Sequence, residues 1–270
     1  MQLQLSGAGH SNQRLFSDHY LDHILPGHWE SLRDEAFRVM QQLQQIYAKF
    51  TPSNNEAQTE DDWIKPVLHT MGHTFEVQAP LKVPDGTQRP DYIFYRDDAV
   101  RAAHKNKIVQ AEDIANSAFA VGDAKYWERP LDKSLRESGK GNDAFSNKNP
   151  SYQIFFYMLH SGLPWGILTN GRQWRLYHSQ TAHKLEVYYE VDLPALLEAN
   201  DVETFLYFYT FFRRAAFDAG PLSLDVILTA STEYAQEISE SLRKQVYDAL
   251  RFDILNVYSR STLSQVLSIR

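Results

Sequence analysis

The sequence predicts an α/β fold. Three patterns carry that reading: a long apolar stripe at three-four spacing near the start, a set of short strand-like runs, and a helical pattern through the last quarter. Strand runs interrupted by a helix point to a central mixed sheet flanked by helices, with N-terminal helices before it and a helical C-terminal extension after it. A hydrophobic content of 43% is enough for the core this architecture needs.

Residues 1–28 are polar and then aromatic, and Phe16, Tyr20, Leu21, Ile24 and Leu25 are expected to pack as an arm on the main body. Residues 29–50 read as a helix, with Trp29, Leu32, Ala36, Phe37, Met40, Leu43, Tyr47 and Phe50 on one apolar face. A second helix runs to about Met71, capped by Asn55 or by Thr59, kinked at Pro66 and ended by Gly72. Trp63, Ile64, Val67, Leu68 and Met71 form its buried stripe.

Residues 74–78 and 89–95 read as strands, separated by the turn residues Pro84, Asp85 and Gly86. A charged insertion at 97–117 is partly helical around 99–105, and a third strand begins at Ala118. Residues 128–149 form a long polar loop containing Gly139-Lys140-Gly141-Asn142. A helix from Pro150 to about His160 follows. Residues 165–169 and 173–177 are strands joined by Asn170-Gly171, a hairpin signal, with Trp165 and Trp174 in the core. Residues 184–191 make the last strand. Helices are expected at 193–199, 202–216 and 224 to about 258, with 217–221 as linker. The chain thus divides into an arm (1–28), a central domain (29–217) and a helical extension (218–270).

There is no cysteine, which excludes disulfides and thiolate zinc sites and fits a cytoplasmic location. No apolar run is long enough to span a membrane, and residues 1–14 lack the apolar centre of a secretory signal. The net charge of −7 is the opposite of a general nucleic-acid footprint. Between 125 and 148 the balance reverses slightly: Lys125, Arg129, Lys133, Arg136, Lys140 and Lys148 outnumber Glu128, Asp132, Glu137 and Asp143. His19 and His23 share a helix face at i,i+4 spacing, where solvated surface histidines are the commoner case and a metal pair the rarer one.

The chemistry concentrates in Ala118-Phe119-Ala120-Val121-Gly122-Asp123-Ala124-Lys125-Tyr126-Trp127. Strand alternation points Asp123 and Lys125 to one side. Such a pair at the end of an apolar strand is either a structural ion pair or part of a site. Asp91, following Pro90 at the start of a neighbouring strand, supplies a second carboxylate. Two converging carboxylates make an oxygen-rich pocket for a hard cation such as Mg2+, which Mn2+ replaces readily, and the small Ala124 leaves its carbonyl free as a further ligand. Lys125 beside them is suited to orient water or neutralise a phosphate.

The order helix, Pro90-Asp91, Asp123-Ala124-Lys125, helix resembles the PD-(D/E)XK nuclease superfamily. Gln153 and Tyr157 match the Q-x-x-x-Y helix motif of the nuclease region in type I and type IIG restriction enzymes, and residues 165–177 and 55–72 resemble the flanking strand pair and first helix of that region. The resemblance implies a restriction-endonuclease-like core and metal-dependent cleavage of DNA in a restriction or phage-defence system. It implies Asp91 and Asp123 as metal ligands, Lys125 as the catalytic lysine, Glu56 as a supporting acid, and Gln153 and Tyr157 as positioning groups. The later helices resemble the connector that in type IIG enzymes leads into an N6-adenine methyltransferase, which implies a methyltransferase or specificity domain or subunit as partner.

Other readings of the same residues stay open. Glu60 lies one turn beyond Glu56 and serves as well to face the pocket, or both acids simply favour a helix N-terminus. Gln153 also fits a solvated helix position, and Tyr157 a core one. A catalytically silent DNA-binding or assembly domain, a nuclease for RNA or single strands, and a helical scaffold are the rival functions.

Overall fold

Seven strands pair into one mixed sheet, in the order β1 (His10–Asn12), β9 (Tyr189–Asp192), β8 (Gln173–His178), β7 (Trp165–Thr169), β6 (Ala118–Ala124), β5 (Tyr92–Tyr95), β2 (Thr74–Val77). The computed structural model describes residues 9–132 and 149–267, with side chains to 247. Lys133, Arg136, Glu137, Lys140, Asp143, Lys148 and the run 139–142 lie outside the described residues.

All neighbours in the sheet are antiparallel except β6 and β7. Parallel strands need a crossover, and helix α6 (Pro150–Ser161) lies within it. That helix forms where the residues at both ends favour it. The Asn149 side chain accepts from the Ser151 N–H, Pro150 sits in the first turn, and Gly162 takes the left-handed C-terminal conformation with φ 68°. Its Ile154, Tyr157 and Met158 are buried against the sheet. A side chain on Gly166 of β7 would collide with Met158, so glycine lets the helix lie close.

The sheet separates two cores. Tyr92, Phe94, Ala120, Ala124, Trp165 and Trp174 face one, with α1 (Arg33–Tyr47), the arm and α8 (Val202–Phe212). Ile93, Tyr95, Val121, Leu168 and Tyr177 face the other, under α6. Along β6 the parity of Val121 puts Asp123 on the α6 side.

The first helix buries Ala36, Val39, Met40 and Leu43, while Phe37, expected on that face, is 46% exposed. Residue 37 follows the start of the stripe by one position, so it turns about 100° away from Ala36.

The second helix starts at α2 (Glu56–Thr59) with Asn55 as its cap, accepting from the Gln58 N–H at 3.3 Å. Thr59 instead bonds the carbonyls of Ser53 and Asn55. The break expected at Pro66 takes the form of a π-helical turn at Glu60–Ile64 before α3 (Lys65–Thr70), placing the proline in a first turn. A wide turn there relieves the clash of the ring with the preceding carbonyls.

Several short elements were not legible in the sequence. The arm supplies β1 as an edge strand, and residues around the 84–86 turn pair as β3 (Leu81–Val83) and β4 (Gly86–Gln88). The insertion holds α4 (Asp98–His104), capped by Asp97, and a further single turn, α5 (Ala111–Ile114). The last strand begins at Tyr189 rather than 184, because Ala182–Lys184 forms a 3-10 turn and Leu185 follows at φ 56°.

After α7 (Leu193–Ala199) and α8, helix α9 (Leu224–Leu267) runs for 44 residues, about 66 Å at 1.5 Å per residue. Its base is tied to the body: Trp165 Nε1 donates to Asp225 at 3.0 Å, and the Ser17 N–H donates to Ser231 Oγ. His19 and His23 lie side by side there, and His19 stacks on Tyr234 at 5.1 Å. No helix among the described residues is long and apolar enough to cross a membrane.

Candidate active site

Register brings the two aspartates together. Tyr92 pairs with Gly122 in the antiparallel β5–β6 ladder, so the next residues outward, Asp91 and Asp123, stand opposite each other. Both have the parity of the α6 side. The Asp91 carboxylate accepts from the Ala124 N–H at 2.8 Å, which pins it to the end of β6. In a strand the N–H and C=O of one residue point to the same side, so the Ala124 carbonyl is directed toward Asp91 as well.

Lys125 is anchored by its own backbone, whose N–H donates to the Thr169 carbonyl at 2.8 Å. Its ammonium lies 2.6 Å from Asp123 Oδ2 and 4.0 Å from Asp91 Oδ2. Asp123 is only 3% exposed, and its Oδ2, despite that contact, has no hydrogen bond of good direction.

The electrostatics follow from burial. Burial raises the Asp123 pKa; Lys125 opposes that, Asp91 adds to it, and the result is pushed up to about 8. For Lys125 burial acts downward, yet Asp123, Asp91 and Glu56 outweigh it and hold the ammonium above the ordinary lysine pKa.

The hairpin delivers the third carboxylate. Gly171, at φ 83°, offers its carbonyl to Trp63 Nε1 at 2.7 Å and to Trp174 Nε1 at 3.1 Å. A side chain at Gly171 would press on Trp63 and Thr59, so this glycine fixes the helix that carries Glu56. Glu56 is half-buried beside Lys125 and Asp91. Burial raises its pKa, Lys125 pulls it down, Asp91 pushes it up, and the Tyr126 N–H favours its charge. Glu60 is turned elsewhere and takes the Tyr92 hydroxyl at 2.5 Å. The ambiguity between the two acids therefore resolves toward Glu56.

Tyr157 projects from α6 with its hydroxyl 3.4 Å from the Arg89 carbonyl. Burial and then the charges of Asp123 and Asp91 keep it a neutral phenol. Gln153 is half-buried one turn earlier. The Tyr92–Glu60 bond and the Tyr126 N–H are parts of the site that sequence reasoning missed. Tyr92 faces the opposite side of the strand from Asp91, and a backbone donor leaves no mark in composition.

Two carboxylates, Asp91 and Asp123, thus flank one ammonium, and the charge of Glu56 is felt there as well. Oxygen donors of this kind are the ones hard cations take as ligands. Among the described residues no three Asp, Glu or His side chains are already gathered as a metal cluster. Two opposed carboxylates and a carbonyl nevertheless suit Mg2+, which keeps several waters and takes phosphate oxygens as ligands. No protein-family model, curated protein or solved structure matches this chain.

Proposed function

We propose that this chain is a metal-dependent endonuclease domain of the PD-(D/E)XK kind, hydrolysing phosphodiester bonds in DNA, with a restriction-endonuclease-like core. The observation that carries the reading is the opposition of Asp91 and Asp123 across β5–β6 with Lys125 between them, 2.6 Å from one and 4.0 Å from the other. An ordinary buried ion pair needs one acid for one base. The second and third acids ask for a further cation.

Asp91, Asp123 and the Ala124 carbonyl would hold Mg2+, with Glu56 reaching it through water. When bound, the ion supplies Lewis-acid polarisation of a phosphoryl oxygen and acidifies a coordinated water. The residues of the chain do the rest. Asp91 is held in place by the Ala124 N–H, so its carboxylate is oriented before substrate arrives. Lys125, kept protonated by its acidic neighbours, donates toward the phosphate oxygens and neutralises charge as the fifth oxygen approaches. Tyr157, neutral over the working pH range, is a hydrogen-bond donor on the α6 side. A methyltransferase or specificity partner would supply the DNA affinity that a net charge of −7 withholds, and a defence role follows from that pairing.

Digestion of labelled DNA with Mg2+ or Mn2+ tests the reading. Asp91→Asn, Asp123→Asn and Lys125→Ala should each abolish cutting while circular dichroism stays unchanged. Undiminished cutting by Lys125→Ala would remove the assignment.

A further inference from the structure

Four of the five tryptophans are core residues: Trp29, Trp63, Trp165 and Trp174 are at most 2% exposed. Trp127 alone is half-buried, and it lies two residues past Lys125, within about 7 Å along the chain. Its ring lies within 22° of parallel to Tyr47, with centroids 6.3 Å apart, and Tyr47 is also half-buried. Phe50 and Trp63 back the pair, at 5.1 Å from Trp127 and 5.1 Å from Tyr47 respectively. These buffering rings, with Gly171 under Trp127, hold the two outer rings in place. Past Phe50 the surface dips into a groove of 620 Å³ between α1 and α3, walled by Lys49, Gln42 and Gln45 with Asp62 opposite.

Two nearly parallel rings at a surface, rigidly backed and next to a phosphate-directed lysine, suit a flat apolar face. A nucleobase is such a face, and only an unpaired one is free to offer it, because both faces of a base inside a duplex are covered by its neighbours. Stacking needs no base-specific hydrogen bond.

We propose that Tyr47 and Trp127 form a stacking platform for an unpaired nucleobase, which places single-stranded nucleic acid beside Asp91, Asp123 and Lys125. The proposal rests on the nuclease reading and narrows its substrate to single strands or locally unpaired DNA.

The test uses the full chain carrying Asp123→Asn, so that the strand is not cut. An oligothymidylate should quench the indole emission to saturation, while a blunt duplex of equal length should not. Trp127→Phe should abolish the quenching yet keep binding, read by anisotropy of a labelled strand, within about threefold. Trp127→Ala should weaken single-strand binding about 5- to 100-fold, and Tyr47→Ala should act in the same direction. Equal affinity of Trp127→Ala and its parent, binding without quenching, equal quenching by duplex, or no binding of the oligothymidylate would each overturn the platform. Should Trp127→Ala fail to fold, quenching in the parent and its loss in Trp127→Phe decide. Stacking without cleavage by the unmutated chain would remove the nuclease reading and keep the platform. Cleavage indifferent to Trp127→Ala would do the reverse.

Discussion

The α6 face of the sheet carries two buried charge clusters on a single row, and they behave differently. Asp123 pairs across to Leu168, Leu168 to Arg175, and Arg175 to Glu190, so one leucine separates them. In the inner cluster one guanidinium meets one carboxylate. Arg175 Nε donates to Glu190, Gln173 Nε2 donates to the other Glu190 oxygen at 3.1 Å, and the guanidinium lies 4.1 Å over the Tyr188 ring. Burial opposes the Arg175 charge, but Glu190 outweighs it. In the outer cluster Lys125 faces three carboxylates, and Asp123 is left with a raised pKa. Both clusters are buried and both contain a salt bridge, so neither property separates them. The balance of acids to bases does.

Four experiments put that contrast to the test. The largest effect is expected in cutting. Lys125→Ala should cost about 10²- to 10³-fold or more in rate. Glu190→Gln should leave the rate per folded molecule unchanged, and a comparable loss there would make both clusters part of one machine.

Stability should show the opposite order. Glu190→Ala strands a buried guanidinium and should cost about 3–5 kcal/mol in urea unfolding. Asp123→Asn removes a carboxyl whose ionisation burial opposes and should cost nothing or stabilise the metal-free chain. Equal losses would mean that the outer carboxylate is already balanced.

Mg2+ should recognise only the outer cluster. At a hundredfold excess over its dissociation constant it should add about 2.7 kcal/mol to the unmutated chain and nothing to Asp123→Asn, by thermal shift.

The fourth experiment varies pH. The Asp123 carboxyl has a higher pKa folded, about 8, than the 3.8 of a free aspartate, so the folded chain binds its proton more tightly. Its contribution to stability is therefore full below about pH 4 and is lost as pH rises through 8. Asp123→Asn should flatten that decline in metal-free unfolding curves. A decline of the same slope in the variant would assign it to other groups.

Much of this was readable before any coordinates. The helical stripe of α1 and α3, the Asn170-Gly171 turn and the α6 boundaries follow from spacing and turn residues, but the first helix, expected over 29–50, is α-helical only over Arg33–Tyr47, with a 3-10 turn at Glu30–Leu32 before it. Phe37 shows the limit: an apolar residue one place off the stripe reads as core but is exposed. Arg175 shows another, since a charged residue inside a strand reads as solvent-facing until its partner on β9 is known. Gln173 and Glu190 complete that pair from positions that no local pattern connects.

Strand alternation alone places Asp123 and Lys125 on one side, because the two-residue period belongs to the backbone and needs no neighbour. Only tertiary structure decides that Asp91 stands opposite Asp123, that Glu60 turns to Tyr92, and that Trp127 meets Tyr47. Register and ring packing depend on contacts between segments far apart in the chain, and those contacts are chosen by the energy of the whole sheet and its two cores.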